Sequence, residues 1–117
     1  MSVSEASSLT DPGQAVAYLE EISPEMRGCA ILDSAGAVLA STGEDEAWER
    51  AAGRMIEAVD GAGSEPSARA HVATGDGEVF CVRHDGLVAV AVTERFVLAS
   101  LMLFDLHAVL RELAAGR

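Results

Sequence analysis

The chain contains no lysine and no asparagine, only two cysteines, three prolines and five aromatic residues, and its fixed positive charge rests on eight arginines alone. Each shortage excludes something. Two cysteines with no C-x-x-C spacing make neither a zinc site nor a redox motif. Eight arginines against nineteen acids leave a net charge of −11, which repels the phosphates of nucleic acid and of anionic membrane surfaces. No apolar stretch reaches about 18 residues without a charge, and the first thirteen or so residues lack the basic start and apolar run of a secretory signal, so a cytoplasmic location is expected. Lysine and asparagine both use codons beginning AA, and their absence points to a GC-rich, bacterial genome.

What is present is apolar. Half of the 117 residues are hydrophobic, enough for one domain that buries roughly two thirds of its unfolded surface without staples. The expected division is a flexible N-terminus over 1–10 and a single domain over 11–117. Charge is uneven along it: residues 1–65 hold thirteen acids against three arginines (Arg27, Arg50, Arg54), a balance of −10. Any role for acidity therefore belongs to the first half.

Asp11-Pro12-Gly13-Gln14 supplies an N-cap, a proline at the first helical position and a glutamine that completes a capping box. The helix that follows places Ala15, Val16, Leu19 and Ile22 on one side and stops at Ser23-Pro24. Gly28 to Leu32 and Ala37 to Ser41 are short apolar runs joined by Asp33-Ser34-Ala35-Gly36, the pattern of a hairpin. A middle helix over about 44–59 carries Trp48, Ala51, Ala52, Met55, Ile56 and Val59 as one apolar stripe. After the loop 61–67, strands are expected at 68–74, 78–84 and 87–93, the last two joined by the hairpin pair Asp85-Gly86. A last helix, Phe96 to Leu113, is almost wholly apolar. The strands at Gly28 and at Leu87 have no polar face, so they belong in the middle of an antiparallel sheet covered on both sides. The strand carrying Arg69 and His71 belongs at an edge.

The order α-β-β-α-β-β-β-α, with sheet order 2-1-5-4-3, resembles the Roadblock/dynein light chain family over residues 11–113. The resemblance rests on Gly28-Cys29-Ala30-Ile31-Leu32-Asp33-Ser34-Ala35-Gly36-Ala37-Val38-Leu39-Ala40-Ser41 and on Asp85-Gly86-Leu87-Val88-Ala89-Val90 before the last helix. It implies a profilin-like α/β (α+β) fold with helices on both faces of a five-stranded sheet. It also implies a non-enzymatic dimer whose sheets join edge to edge through the third strand while the second helices pair, and a Ras-like small GTPase of bacteria as the partner it regulates. Carried to this chain, the dimer contact falls on Trp48, Ala52, Met55, Arg69, Ala70, His71 and Val72. The exposed face of the middle helix, Glu46, Glu49, Arg50, Gly53, Arg54 and Glu57, is the expected partner surface, because those side chains have no other visible task. The acids Glu44, Asp45, Glu46 and Glu49 also favour the helix dipole there, which is reason enough for some of them.

Reactive chemistry is scarce. In the sheet order above, Cys29 and Cys81 lie on strands separated by a third, roughly 9 to 10 Å apart and beyond the usual disulfide limit of about 7 Å, so buried thiols are expected. Cys81 and His84 are three apart on one strand and point to opposite faces, which rules against a nucleophile and base. Asp33, Asp76 and Asp85 each sit near glycine in a turn, and turn formation accounts for them without a metal or a carboxylate dyad. Ser100, His107 and Arg111 share one polar stripe of the last helix, read as a solvated edge or as a pH-sensitive contact. No catalytic, cofactor or metal residue is expected, and the chain is read as no enzyme, since it has no P-loop, metal spacing or triad. The alternative is a PAS-like small-molecule sensor or a general interaction module. A sensor would want a pocket lined by aromatics, whereas Phe80, Phe96, Phe104, Trp48 and Tyr18 are all expected in the core.

Overall fold

The computed structural model describes residues 11–43, 48, 51, 69–73, 77–95 and 97–116, with Val72 described by its backbone alone. Helix α1 spans Pro12–Ile22, strands β1 to β5 span Met26–Asp33, Val38–Ser41, Arg69–Ala73, Glu78–His84 and Leu87–Thr93, and helix α2 spans Ala99–Ala115. The five strands form one antiparallel sheet in the order β2-β1-β5-β4-β3. This is the predicted order. The expected middle helix, apart from Trp48 and Ala51, lies outside the described residues, as do the loop 61–67, Asp76, Phe96 and the N-terminal residues 1–10. Trp48 and Ala51 are themselves helical.

Local chemistry sets the element ends. The Asp11 carboxylate accepts the Gln14 amide at 2.9 Å, which satisfies one of the donors that every helix start leaves free. Ser23 closes α1, its amide donating to the Leu19 carbonyl. Asp33 builds the first hairpin by accepting the Ala35 and Ala37 amides at 2.9 and 3.0 Å. Between β4 and β5, Asp85 and Gly86 have φ of 51° and 82°. Two successive left-handed residues are what a type I′ turn requires, and an aspartate before a glycine tolerates them.

The central strands β1 and β5 are buried along nearly their whole lengths. One sheet face gathers Cys29, Ile31, Phe80, Val82, Leu87, Ala89 and Ala91 beneath Ala15, Val16 and Leu19 of α1 and Met102, Leu106, Val109, Leu110 and Leu113 of α2. The opposite face gathers Ala30, Leu32, Cys81, Val88 and Val90, with Trp48, Val38, Ala70 and Val79 packed against them. The period-two alternation of a strand divides its apolar residues between these two cores.

Two expectations about the last helix are corrected. It begins at Ala99 rather than Phe96, with Leu98 still extended at φ −75° and ψ 102°. Phe104 is not core: it is 67% exposed, and Tyr18 on α1 is 40% exposed. A helix whose apolar residues spread well beyond one face offers little contrast from which its buried side can be read. Packing turns Met102, Leu106, Val109, Leu110 and Leu113 to the sheet and leaves Leu101 and Phe104 outside.

Candidate functional site

Strand β3 pairs only with β4, so one of its edges carries no ladder among the described residues. Its register places Arg69 opposite Val82, His71 opposite Phe80 and Ala70 opposite Cys81. Arg69 and His71 therefore stand on the face covered by α1 and α2, and Ala70 packs into the opposite core. The His71 ring lies flat on Phe80, with centroids 4.3 Å apart and planes 5° apart. Its Nε2 meets the Glu78 carboxylate at 2.5 Å. Glu78 is only 7% exposed, and a buried carboxylate is tolerated when such a partner satisfies it. The edge is thus stiffened by a ring stack and a polar bond rather than left to a loose strand.

Trp48 is held at the far end of β1. Its indole N–H donates to the Thr42 carbonyl at 2.6 Å, while the Thr42 hydroxyl accepts the Cys29 amide at 3.0 Å. The ring lies against Gly28: a methyl group there would sit 3.1 Å from Trp48 Cζ2 and 2.9 Å from Thr42 Oγ1. Gly28, Thr42 and Trp48 form one latch. The sequence reading missed it, although a lone glycine inside a strand pattern is the signal for such a close approach.

The cysteines are buried on opposite faces of the sheet, Cys29 beneath the helices and Cys81 on the side of Trp48. Both are free thiols. Burial pushes Cys29 up to about 12, with Glu20 adding to the rise, and pushes Cys81 up to about 11 against the opposing pull of Arg83. Neither is a thiolate at neutral pH, so neither is a ready nucleophile. Cys81 and His84 do point apart, since His84 instead meets His107 of α2 edge to face at 5.0 Å. Burial, then the neighbouring His84, Arg69 and Arg111, holds His107 below its ordinary range. At the other end of the sheet Arg27 pairs with Glu94 through two contacts of 3.2 and 3.4 Å, and these bonds hold the Glu94 carboxyl below its usual range. No group of three His, Cys, Asp or Glu side chains converges among the described residues. No described helix is long and apolar enough to cross a membrane.

Of the residues expected at a dimer contact, the structure brings Arg69, Ala70, His71 and the backbone of Val72 together on the β3 edge and places Trp48 against the adjoining core. Ala52 and Met55 lie outside the described residues, as do all six residues of the expected partner surface, Glu46, Glu49, Arg50, Gly53, Arg54 and Glu57.

No family model matches the sequence, and no curated protein matches it. Among solved structures the chain is similar to the Roadblock/LC7 domain from Streptomyces avermitilis, with 13% identity, a TM-score of 0.77, and coverage of 91% of this chain and 97% of that one. Neither chain carries a large addition to the shared architecture. The element order, the sheet order β2-β1-β5-β4-β3 and that likeness together give this chain the Roadblock/LC7 fold.

Proposed function

We propose that this chain is a non-enzymatic homodimeric scaffold that binds a Ras-like small GTPase. The observation that carries the reading is the β3 edge: a short strand, open on one side among the described residues, in a sheet of Roadblock/LC7 order. An open edge invites its two-fold mate, and joining two copies there makes one ten-stranded sheet. The dimer contact then uses Arg69, Ala70, His71 and Val72 along the edge, with Trp48, Ala52 and Met55 from the middle segment beside it. Two buried thiols with raised pKa and the divergence of Cys81 from His84 support a role without covalent catalysis.

The partner surface is assigned to Glu46, Glu49, Arg50, Gly53, Arg54 and Glu57. In the dimer this surface is doubled and acidic, so the GTPase presents a basic patch and binding weakens as salt screens it beyond about 8 Å. In sequence Arg50 and Arg54 stand among acids at helical spacing, which would compete for their charge, so this reading assigns the chain no arginine finger. Calorimetry with a co-encoded GTPase in its two nucleotide states tests the reading, with Glu46→Lys/Glu49→Lys as the control. Nucleotide-dependent binding that the double variant weakens supports it. Equal affinity for wild type and variant rejects the acidic face, and binding in neither state rejects the GTPase.

A further inference from the structure

Six large apolar side chains are exposed among the described residues, and five of them belong to one side of the molecule: Tyr18 and Ile22 of α1, and Leu98, Leu101 and Phe104 at the start of α2. Leu98 and Phe104 are each 67% exposed and Leu101 53%. Tyr18 and Ile22 are four apart on α1 and Leu101 and Phe104 three apart on α2, so each pair shares one side of its own helix, and the extended Leu98 precedes α2. Where the end of α1 meets the start of α2, Ile22, Leu98 and Leu101 line a groove of about 340 Å³ together with the acidic residues Glu25 and Asp105. Exposed apolar side chains scattered singly are ordinary, but three of them, Ile22, Leu98 and Leu101, gathered on one groove mark a contact surface.

The charge on the rim decides the occupant. Glu25 and Asp105 have no ion-pair partner among the described residues, and partial burial raises the Asp105 carboxyl above its usual range. A carboxylate losing water beside an apolar stripe is stabilised by an incoming cation. A second copy of the chain would instead bring the same two carboxylates against themselves, and at a net charge of −11 an anionic membrane is repelled. We infer that the groove between α1 and α2 is a docking site for a short amphipathic helix of a partner protein, with apolar anchors on Ile22, Leu98 and Leu101, a flanking contact on the exposed Phe104 one turn further along α2, and an arginine or lysine on Asp105 and Glu25. This surface lies on the helix-covered side of the sheet. It is separate from the β3 edge, and it does not depend on the identity of the GTPase.

The test uses a fluorescein-labelled 14-residue helical peptide with leucines at i, i+3, i+4 and i+7 and arginines on its opposite face, titrated into the full chain at physiological salt. Amide chemical-shift perturbations are recorded in parallel. The expected result is micromolar binding with shifts concentrated at residues 22–25 and 97–105. Leu101→Ser/Phe104→Ser, both at exposed positions, weakens binding by about tenfold and Asp105→Asn by roughly three- to fivefold, in the range for loss of an anchor and of a desolvated charge contact. Glu46→Lys/Glu49→Lys, which flank Trp48 in sequence, leaves it within about twofold, since Trp48 itself packs on the opposite face of the sheet. The same peptide with glutamates for arginines does not bind. Three outcomes overturn the inference: no binding at 100 µM peptide, as an order-of-magnitude ceiling for a specific contact; equal weakening by the two double variants, which means attraction to net charge alone; or loss of self-association by Leu101→Ser/Phe104→Ser, which means a second copy covers the groove.

Discussion

Gly28→Ala tests whether the latch around Trp48 organises the far face of the sheet. The new methyl group would lie 2.9 Å from Thr42 Oγ1 and 3.1 Å from Trp48 Cζ2. Neither neighbour is a loose chain end. The Thr42 hydroxyl is tied to the Cys29 amide, and the indole is tied to the Thr42 carbonyl. Forcing a methyl group into a packed site costs about 1 to 3 kcal/mol, and replacing glycine by alanine in a strand returns about 0.5 to 1 kcal/mol. The difference spans about 0 to 2.5 kcal/mol, and because both neighbours are tied in place the expected loss lies in its upper part, about 1 to 2 kcal/mol, or roughly 4 to 8 °C in Tm for a chain of this length. Trp48 is the only tryptophan, so its emission reports the latch directly during urea unfolding and moves to longer wavelength in the variant. In a Trp48→Phe background, followed by circular dichroism, the cost of Gly28→Ala shrinks because the ring it collides with is smaller. A Gly28→Ala protein with unchanged emission and a stability within about 0.5 kcal/mol of wild type would refute the latch.

Asp11→Ala removes the cap on the Gln14 amide and lowers stability by about 1 kcal/mol, within the range measured for N-caps, as read from the urea midpoint. The pKa of His107 is depressed in the folded chain, so the unfolded chain binds a proton first; its contribution is present above about pH 6.5 and is lost as the pH falls below that value. The difference in urea midpoint between wild type and His107→Gln should therefore shrink between pH 7.5 and 5.5, the ordinary titration range of histidine, and a constant difference would contradict the assignment. With Cys29 and Cys81 at about 12 and about 11, a disulfide reagent at about pH 8 labels neither in the folded chain and both after unfolding; rapid labelling of native Cys81 would show that its site is open.

The strand arrangement was legible because burial writes itself into composition. β1 and β5 are apolar on both faces and lie at the centre, whereas Arg69 and His71 mark β3 as an edge. Asp85-Gly86 and the Asp33 turn were legible because their chemistry is local. Two features were not. The latch joins residues 28, 42 and 48 across a hairpin, and nothing in the spacing of Trp48 distinguishes a ring laid on a glycine from one facing a second helix. The outer face of α2 was misjudged because Leu101, Phe104, Leu106 and Leu110 look alike until a sheet selects among them. The stack of His71 on Phe80 and its bond to Glu78 depend on strand register, which a hydrophobic pattern constrains only to the face.

The central claim is that the β3 edge is completed by a second copy, and light scattering tests it most directly. At micromolar concentration the account predicts a mass of twice the 12.1 kDa chain. Val72→Pro, which removes one backbone donor from β3, should return it to the single-chain mass while circular dichroism retains the native signature. A wild-type chain that runs as a monomer under these conditions, or a folded Val72→Pro protein that remains a dimer, would contradict the account.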